Sequence, residues 1–205
     1  MLSFEQFLTD TARRGEAVNT LFEERLFHLA GILQRITTAL NEAQIPHEVV
    51  GGLAVLIHVE EANPEFATLT RDVDLMVRRA DLPRIQQAAA RAGFAFRHVA
   101  GVDMLLPAGA ASATNAVHLL FSEEKVRPDY PAPTPPIQPV RKRIHGQEVM
   151  VVPVPDLLRM KLTSNRDKDR VHVRALDAAG LVTPEVEATL PTPLLDRLAH
   201  IRSTE

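Results

Sequence analysis

The sequence contains no cysteine, no tryptophan and one tyrosine in 205 residues. Without cysteine there can be no disulfide and no thiolate ligand, so any metal ion must be held by Asp, Glu or His. Cysteine nucleophiles are excluded by the same absence. One Tyr and no Trp leave few stacking platforms for single-stranded nucleic acid, so an RNA partner would be recognised mainly through phosphate and shape. No apolar run approaches the roughly 20 residues that span a bilayer. The start, Met1-Leu2-Ser3-Phe4-Glu5-Gln6, lacks the basic and apolar regions of a secretion signal. A soluble, cytoplasmic protein with no membrane partner is expected. The phosphate loop GxxxxGK[ST], the zinc helix HExxH and the nucleophile elbow GxSxG are missing as well.

What is present is a chain with 45% hydrophobic residues, enough to bury a core, and a formal net charge of −3. Its charge is unevenly placed. Residues 1–66 carry 4 Lys/Arg against 10 Asp/Glu, whereas residues 141–174 carry 9 against 4. The second stretch could face a phosphate-bearing ligand, although any single residue in it reads better as part of an ordinary solvated helix face.

Apolar positions Val18, Leu21, Phe22, Leu26, Leu29, Ile32, Leu33, Ile36 and Leu40 recur every three or four residues, which predicts a long amphipathic helix over 17–43, stopping before Pro46. His47 to Val50 reads as a first strand, Gly51-Gly52 as a turn into a short helix from Leu53 to Val59, and the segment ending Asp72-Val73-Asp74-Leu75-Met76-Val77 as the next strand. Asp81 is placed to cap a helix from Leu82 to Ala92, with Pro83 in its first turn and Gly93 ending it. Strand-like runs follow at Phe94 to Val99, Val102 to Leu106 and Ala116 to Phe121. The proline-dense stretch 128–136 reads as an extended connection. A hairpin over Ile137 to Ile144 and Glu148 to Val152 is expected around His145-Gly146. Helices are expected from Pro155 to Ser164, Lys168 to Ala179, Pro184 to Leu190 and Pro193 to Arg202. The expected organisation is an N-terminal helical segment (1–44), a core (45–127), the Pro-rich connection (128–136), and a hairpin with C-terminal helices packed on the core (137–205).

Alternate residues of a strand share a face, so Asp72 and Asp74 project to one side, roughly 6 to 7 Å apart along the strand. Val73, Leu75 and Val77 fill the other. Two carboxylates held side by side repel, and an oxygen-seeking divalent cation relieves that repulsion by bridging them. The plain alternative is an exposed strand end with two solvated carboxylates.

The order strand, Gly51-Gly52, helix, then Thr70-Arg71-Asp72-Val73-Asp74 on the next strand resembles the DNA polymerase β-type nucleotidyltransferase superfamily. The later run Lys161-Leu162 through Arg166-Asp167-Lys168-Asp169 is similar to a helical motif of abortive-infection (AbiEii-like) toxins within it. The resemblance implies an α/β (α+β) fold: a nucleotidyltransferase-type mixed sheet flanked by helices, with the long helix before it and a helical extension after. It implies an enzyme that moves a nucleotide from a nucleoside triphosphate to a hydroxyl of an RNA, a protein or a small molecule such as an aminoglycoside, with a cognate antitoxin as a further partner. Asp72 and Asp74 would hold Mg²⁺ or Mn²⁺. Gly51 and Gly52 would let backbone N–H groups approach the triphosphate, and Lys161 and Arg166 would neutralise its phosphates. Asp169 would orient Arg166 or Lys168.

The superfamily draws a third carboxylate from a later strand. In the matching run, Ala116-Val117-His118-Leu119, His118 stands at that position. A neutral imidazole can bind metal or accept a proton but brings no negative charge. Asp103 and Glu123 are the other candidates for the missing acid. His172 departs from the toxin-like motif in the same direction, an imidazole where an acid is expected. His58, His98 and His145 read as structural. A second function class stays open: a nucleotidyltransferase-like binding or toxin–antitoxin-type regulatory protein whose chemistry has lapsed.

Overall fold

Four consecutive buried residues, His47–Val50, form β1, and β2 (Val73–Val77) lies antiparallel beside it. The computed structural model describes residue 6 and residues 26–68, 70–109, 116–144 and 147–204. Residues 17–25 of the expected first helix, the residues before it apart from residue 6, Leu69, residues 110–115, the expected His145-Gly146 turn and Glu205 lie outside the described residues. Among the described residues five further strands join them in a mixed sheet: β3 (Phe94–Val99), β4 (Val102–Pro107), β5 (Val117–Phe121), β6 (Val140–Ile144) and β7 (Gln147–Val151). Their order is β3-β4-β5-β2-β1-β7-β6. The β2/β5 and β1/β7 pairs are parallel and the others antiparallel.

The helices are α1 (26–42), α2 (Gly51–Ala62), α3 (Leu82–Arg91), α4 (Val154–Ser164), α5 (Asp167–Ala178), α6 (Pro184–Glu187) and α7 (Thr192–Ser203). The class is the mixed α/β arrangement expected. On α1 the three-and-four spacing buries Leu29, Ile32, Leu33, Ile36 and Leu40. Helix α2 is different. Gly52 through Val59 are all buried, so this helix is enclosed by β2, α4 and α5 instead of lying on the surface.

Cα partners in adjacent strands project to the same side of a sheet. Val50, Asp74, His118 and Met104 are successive partners across β1, β2, β5 and β4, and so share one face. The next row, Val49, Leu75, Leu119 and Asp103, points to the other.

Local expectations need correction at several points. The glycine pair does not form a turn ahead of a helix from Leu53 to Val59: Gly51 and Gly52 are the first two residues of α2, which runs on to Ala62. Asp81 makes no side-chain cap to α3; it ends a 3-10 turn (Arg79–Asp81), and its carboxylate accepts from Arg84 at 2.9 Å. The strand expected from Ile137 begins only at Val140, because Pro139 has no N–H for a ladder. Residues 125–139 contain neither helix nor strand. This strap is tied at two points. The buried Thr134 donates its hydroxyl to Phe121 O and its N–H to Glu124 O (2.9 Å), and the Gln138 N–H donates to Glu48 Oε2 at 3.2 Å. Glu48 is fully buried on β1, and burial raises its carboxyl to about 7.

Candidate active site

Strand β1 ends at Val50 and α2 begins at the next residue, with no loop between them. Gly51 has a left-handed φ of +71°, and a Cβ built on it would lie 1.9 Å from Asp74 Oδ2. Only glycine accepts both that backbone angle and the approach of the carboxylate. Gly52 is equally confined: its Cβ would meet Thr70 Oγ1 at 2.7 Å and His172 Cε1 at 3.4 Å. The glycine pair is therefore the surface against which the double-Asp segment packs. No side chain caps the start of α2, and its first turn holds no acidic residue.

Asp74 is the second residue of β2, whereas Asp72 precedes the strand and is not part of its ladder, a small correction to the expectation that both lie within it. The Asp72 N–H makes a long, 3.5 Å contact to Thr70 Oγ1. The side chain of Asp74 is 22% exposed and that of His118 28%. Parallel pairing of β2 and β5 sets the two opposite each other, and the His118 ring donates from Nδ1 to Asp74 Oδ1 at 3.2 Å. That hydrogen bond, helped by the charges of Asp74 and Asp72, raises the His118 pKa; burial and, more weakly, Lys168 oppose the rise.

The basic residues come from the α4–α5 junction. Asn165 adopts a left-handed conformation (φ 46°) that ends α4 and turns the chain directly into α5. The turn brings Lys161 back over Asp169. Asp169 is fully buried and accepts from five donors: Lys161 Nζ (3.3 Å), Ser164 Oγ (2.8 Å), and the N–H (3.3 Å), Nε (2.6 Å) and Nη2 (3.2 Å) of Arg166. Burial alone would raise its carboxyl; the Arg166 hydrogen bonds, the Lys161 charge and the Ser164 hydroxyl hold it down at about 2. Burial lowers the Lys161 ammonium, with Asp169 and then Asp74 acting against the fall. Arg166 is pushed up, first by its bond to Asp169 and in smaller part by Asp74. The cations paired with Asp169 are thus Arg166 and Lys161, not Lys168. Lys161 is enclosed in an ion pair, while the Arg166 side chain is 48% exposed. Ser164 was not singled out by the sequence; nothing in its spacing signals a partner five residues on, across a helix break.

Neither alternative third acid reaches the site. Asp103 is on the opposite face of the sheet, where it accepts from His98 Nδ1 at 2.6 Å and lies 3.9 Å from Arg79. Glu123 follows the far end of β5, five residues beyond His118, and is exposed. His58 donates from Nε2 to Val152 O at 2.8 Å, a structural role as expected. Arg71 is exposed. Among the described residues no group of three or more His, Asp or Glu is arranged to hold a metal ion. No described helix is long and apolar enough to cross a membrane.

No protein-family model and no curated protein matches the sequence. Solved structures do resemble it. ANT(2″)-Ia in complex with adenylyl-2″-tobramycin is 13% identical, with a TM-score of 0.54 over 85% of this chain and 97% of that one. An antigenic nucleotidyltransferase-like protein from Paracoccidioides brasiliensis is 15% identical, with a TM-score of 0.55 over 87% of this chain and 88% of that one. At these identities the likeness is one of fold: the chain has the nucleotidyltransferase fold.

Proposed function

We propose that this chain is a metal-dependent nucleotidyltransferase that moves a nucleotide from a nucleoside triphosphate to a hydroxyl of an RNA, protein or small-molecule acceptor. The observation that carries the reading is the packing of the Asp74 carboxylate against Gly51, which joins a carboxylate-bearing strand to the open start of a helix at a distance no other residue type would permit. Asp72 and Asp74 would hold the ion. Their oxygen-only donor set suits Mg²⁺ or Mn²⁺, and two carboxylates leave the remaining positions to water and substrate phosphate, the usual arrangement for magnesium at phosphoryl sites. Bound there, the ion would supply charge neutralisation for the triphosphate.

The chain's own groups do the rest. The N–H groups at the start of α2 receive phosphate oxygens, and the exposed fork of Arg166, braced by Asp169, neutralises them. Lys161 acts through Asp169, holding the carboxylate that braces Arg166. His118, with Nδ1 committed to Asp74, has Nε2 for the proton of the acceptor hydroxyl. The finer placing beside the AbiEii-like toxins, and with it an antitoxin partner, rests on the spacing of Lys161, Arg166 and Asp169.

A second reading, a lapsed site that binds nucleotide without turnover, is favoured by one observation: His118, hydrogen-bonded to Asp74 at 3.2 Å, stands where the superfamily places a carboxylate and brings no negative charge to a metal site. Incubation with each labelled triphosphate, Mg²⁺ or Mn²⁺ and total RNA separates the two. Label transferred with release of pyrophosphate supports the enzyme; metal-dependent binding with no transfer supports the lapsed site; neither binding nor transfer refutes both. In the lapsed case His118→Asp strengthens Mg²⁺ binding, whereas in a working variant it lowers the parent's activity.

A further inference from the structure

His172, on α5, is 8% exposed and lies behind the first turn of α2. Its Cε1 atom, which sits between the two ring nitrogens, would lie 3.4 Å from a Cβ built on Gly52, so the nitrogen-bearing edge of the imidazole is turned toward the second residue of that helix. Nδ1 is sealed from solvent and has no hydrogen-bond partner. A neutral imidazole carries one donor and one acceptor nitrogen, and a buried one left unmatched is costly to the fold. An oxygen of a ligand seated at the start of α2 would supply the match.

Resting on the nucleotide reading above, we infer that His172 is a phosphate-contacting residue: its ring, together with the N–H groups at the start of α2, takes an oxygen of the bound triphosphate. Three features of its surroundings specify an anion. The helix start presents uncapped N–H groups. The charged groups that act on His172 are Lys161, Lys168 and Arg166 against the single carboxylate of Asp169, which is itself matched by five donors. The ring stays uncharged at neutral pH, because burial first and the Lys161 ammonium second lower its pKa to about 4. It therefore offers phosphate a hydrogen bond without adding a charge that would have to be desolvated. This role is separate from that of Asp72 and Asp74, and the contact is to phosphate, not to base or acceptor.

The test compares the parent with His172→Phe, which keeps a flat ring without nitrogens, and His172→Gln, which keeps a donor and an acceptor. Inorganic tripolyphosphate and ATP are titrated calorimetrically in Mg²⁺, and thermal melts are recorded without ligand. The expected result is a His172→Phe protein that melts no lower than the parent yet binds both ligands about tenfold or more weakly, with His172→Gln between the two. Tripolyphosphate should also move the His172 ring-nitrogen resonance of the unmutated protein, a readout that does not depend on either variant folding. Equal binding by parent and His172→Phe, or an unmoved resonance at saturating tripolyphosphate, overturns the inference and leaves the nucleotide reading intact. A parent that binds neither ligand overturns both.

Discussion

Replacing Gly51 by alanine tests the centre of the reasoning, because the structure assigns that glycine two separable constraints. The first is its backbone angle of φ +71°, which costs an L-residue about 1–2 kcal/mol. The second is steric: the new methyl would lie 1.9 Å from Asp74 Oδ2, 2.7 Å from Cγ and 2.9 Å from Cβ, so β2 and α2 must separate or the carboxylate must rotate away. Overpacking of this kind costs about 1–3 kcal/mol. Gly51→Ala should therefore lose about 2–5 kcal/mol in urea denaturation at unchanged m. Asp74→Ala removes the carboxylate and relieves the two closest contacts, leaving only the 2.9 Å approach of Cβ. In the double variant most of the steric loss should return while the backbone cost remains, giving a coupling of about 1–3 kcal/mol in the cycle. A Gly51→Ala protein within about 0.5 kcal/mol of the parent, or a strictly additive cycle, would refute the claim that the glycine exists to admit Asp74.

Three further outcomes are expected. Asp74→Asn keeps the shape and removes a negative charge, so Mg²⁺-dependent triphosphate binding should weaken at least about tenfold, equivalent to about 1.4 kcal/mol; calorimetry showing unchanged affinity would count against a metal held there. Lys161→Ala leaves the fully buried Asp169 with Arg166 and Ser164 but without its ammonium partner, so stability in urea should fall toward the lower end of about 3–5 kcal/mol; a loss under about 1 kcal/mol would show the pair to be solvated. Glu48 has a carboxyl raised from 4.5 to about 7, so its contribution to stability is complete below pH 4.5 and is lost as pH rises through 7. Glu48→Gln should therefore gain on the parent between pH 5 and pH 8, by up to about 3 kcal/mol, and a difference that does not vary over that range would refute the assignment.

The elements of this protein were legible in its sequence because they depend on local physics. The spacing from Leu29 to Leu40, the strand-like run from Val73 to Val77 and the position of Gly93 each act within a few residues, and the structure places α1, β2 and the end of α3 accordingly. Features just as local were misread at the edges of elements, where competing short-range partners decide: Asp81 binds Arg84 instead of capping α3, Pro139 delays β6, and Gly51 and Gly52 open α2 instead of preceding it.

The sequence also determined which chemistry is available, since a chain without cysteine and with Asp72 two residues from Asp74 can offer a divalent ion only oxygen and imidazole ligands. Which acids and cations meet was decided by tertiary structure. The parallel register of β2 with β5 puts His118 beside Asp74, and the antiparallel register of β4 with β5 turns Asp103 to the other face; a slip of one residue would exchange the two outcomes. The turn at Asn165 encloses Lys161 over Asp169 and leaves Arg166 outside, although in the sequence the two cations look alike. Register and burial come from contacts between residues tens of positions apart, and no local spacing encodes them.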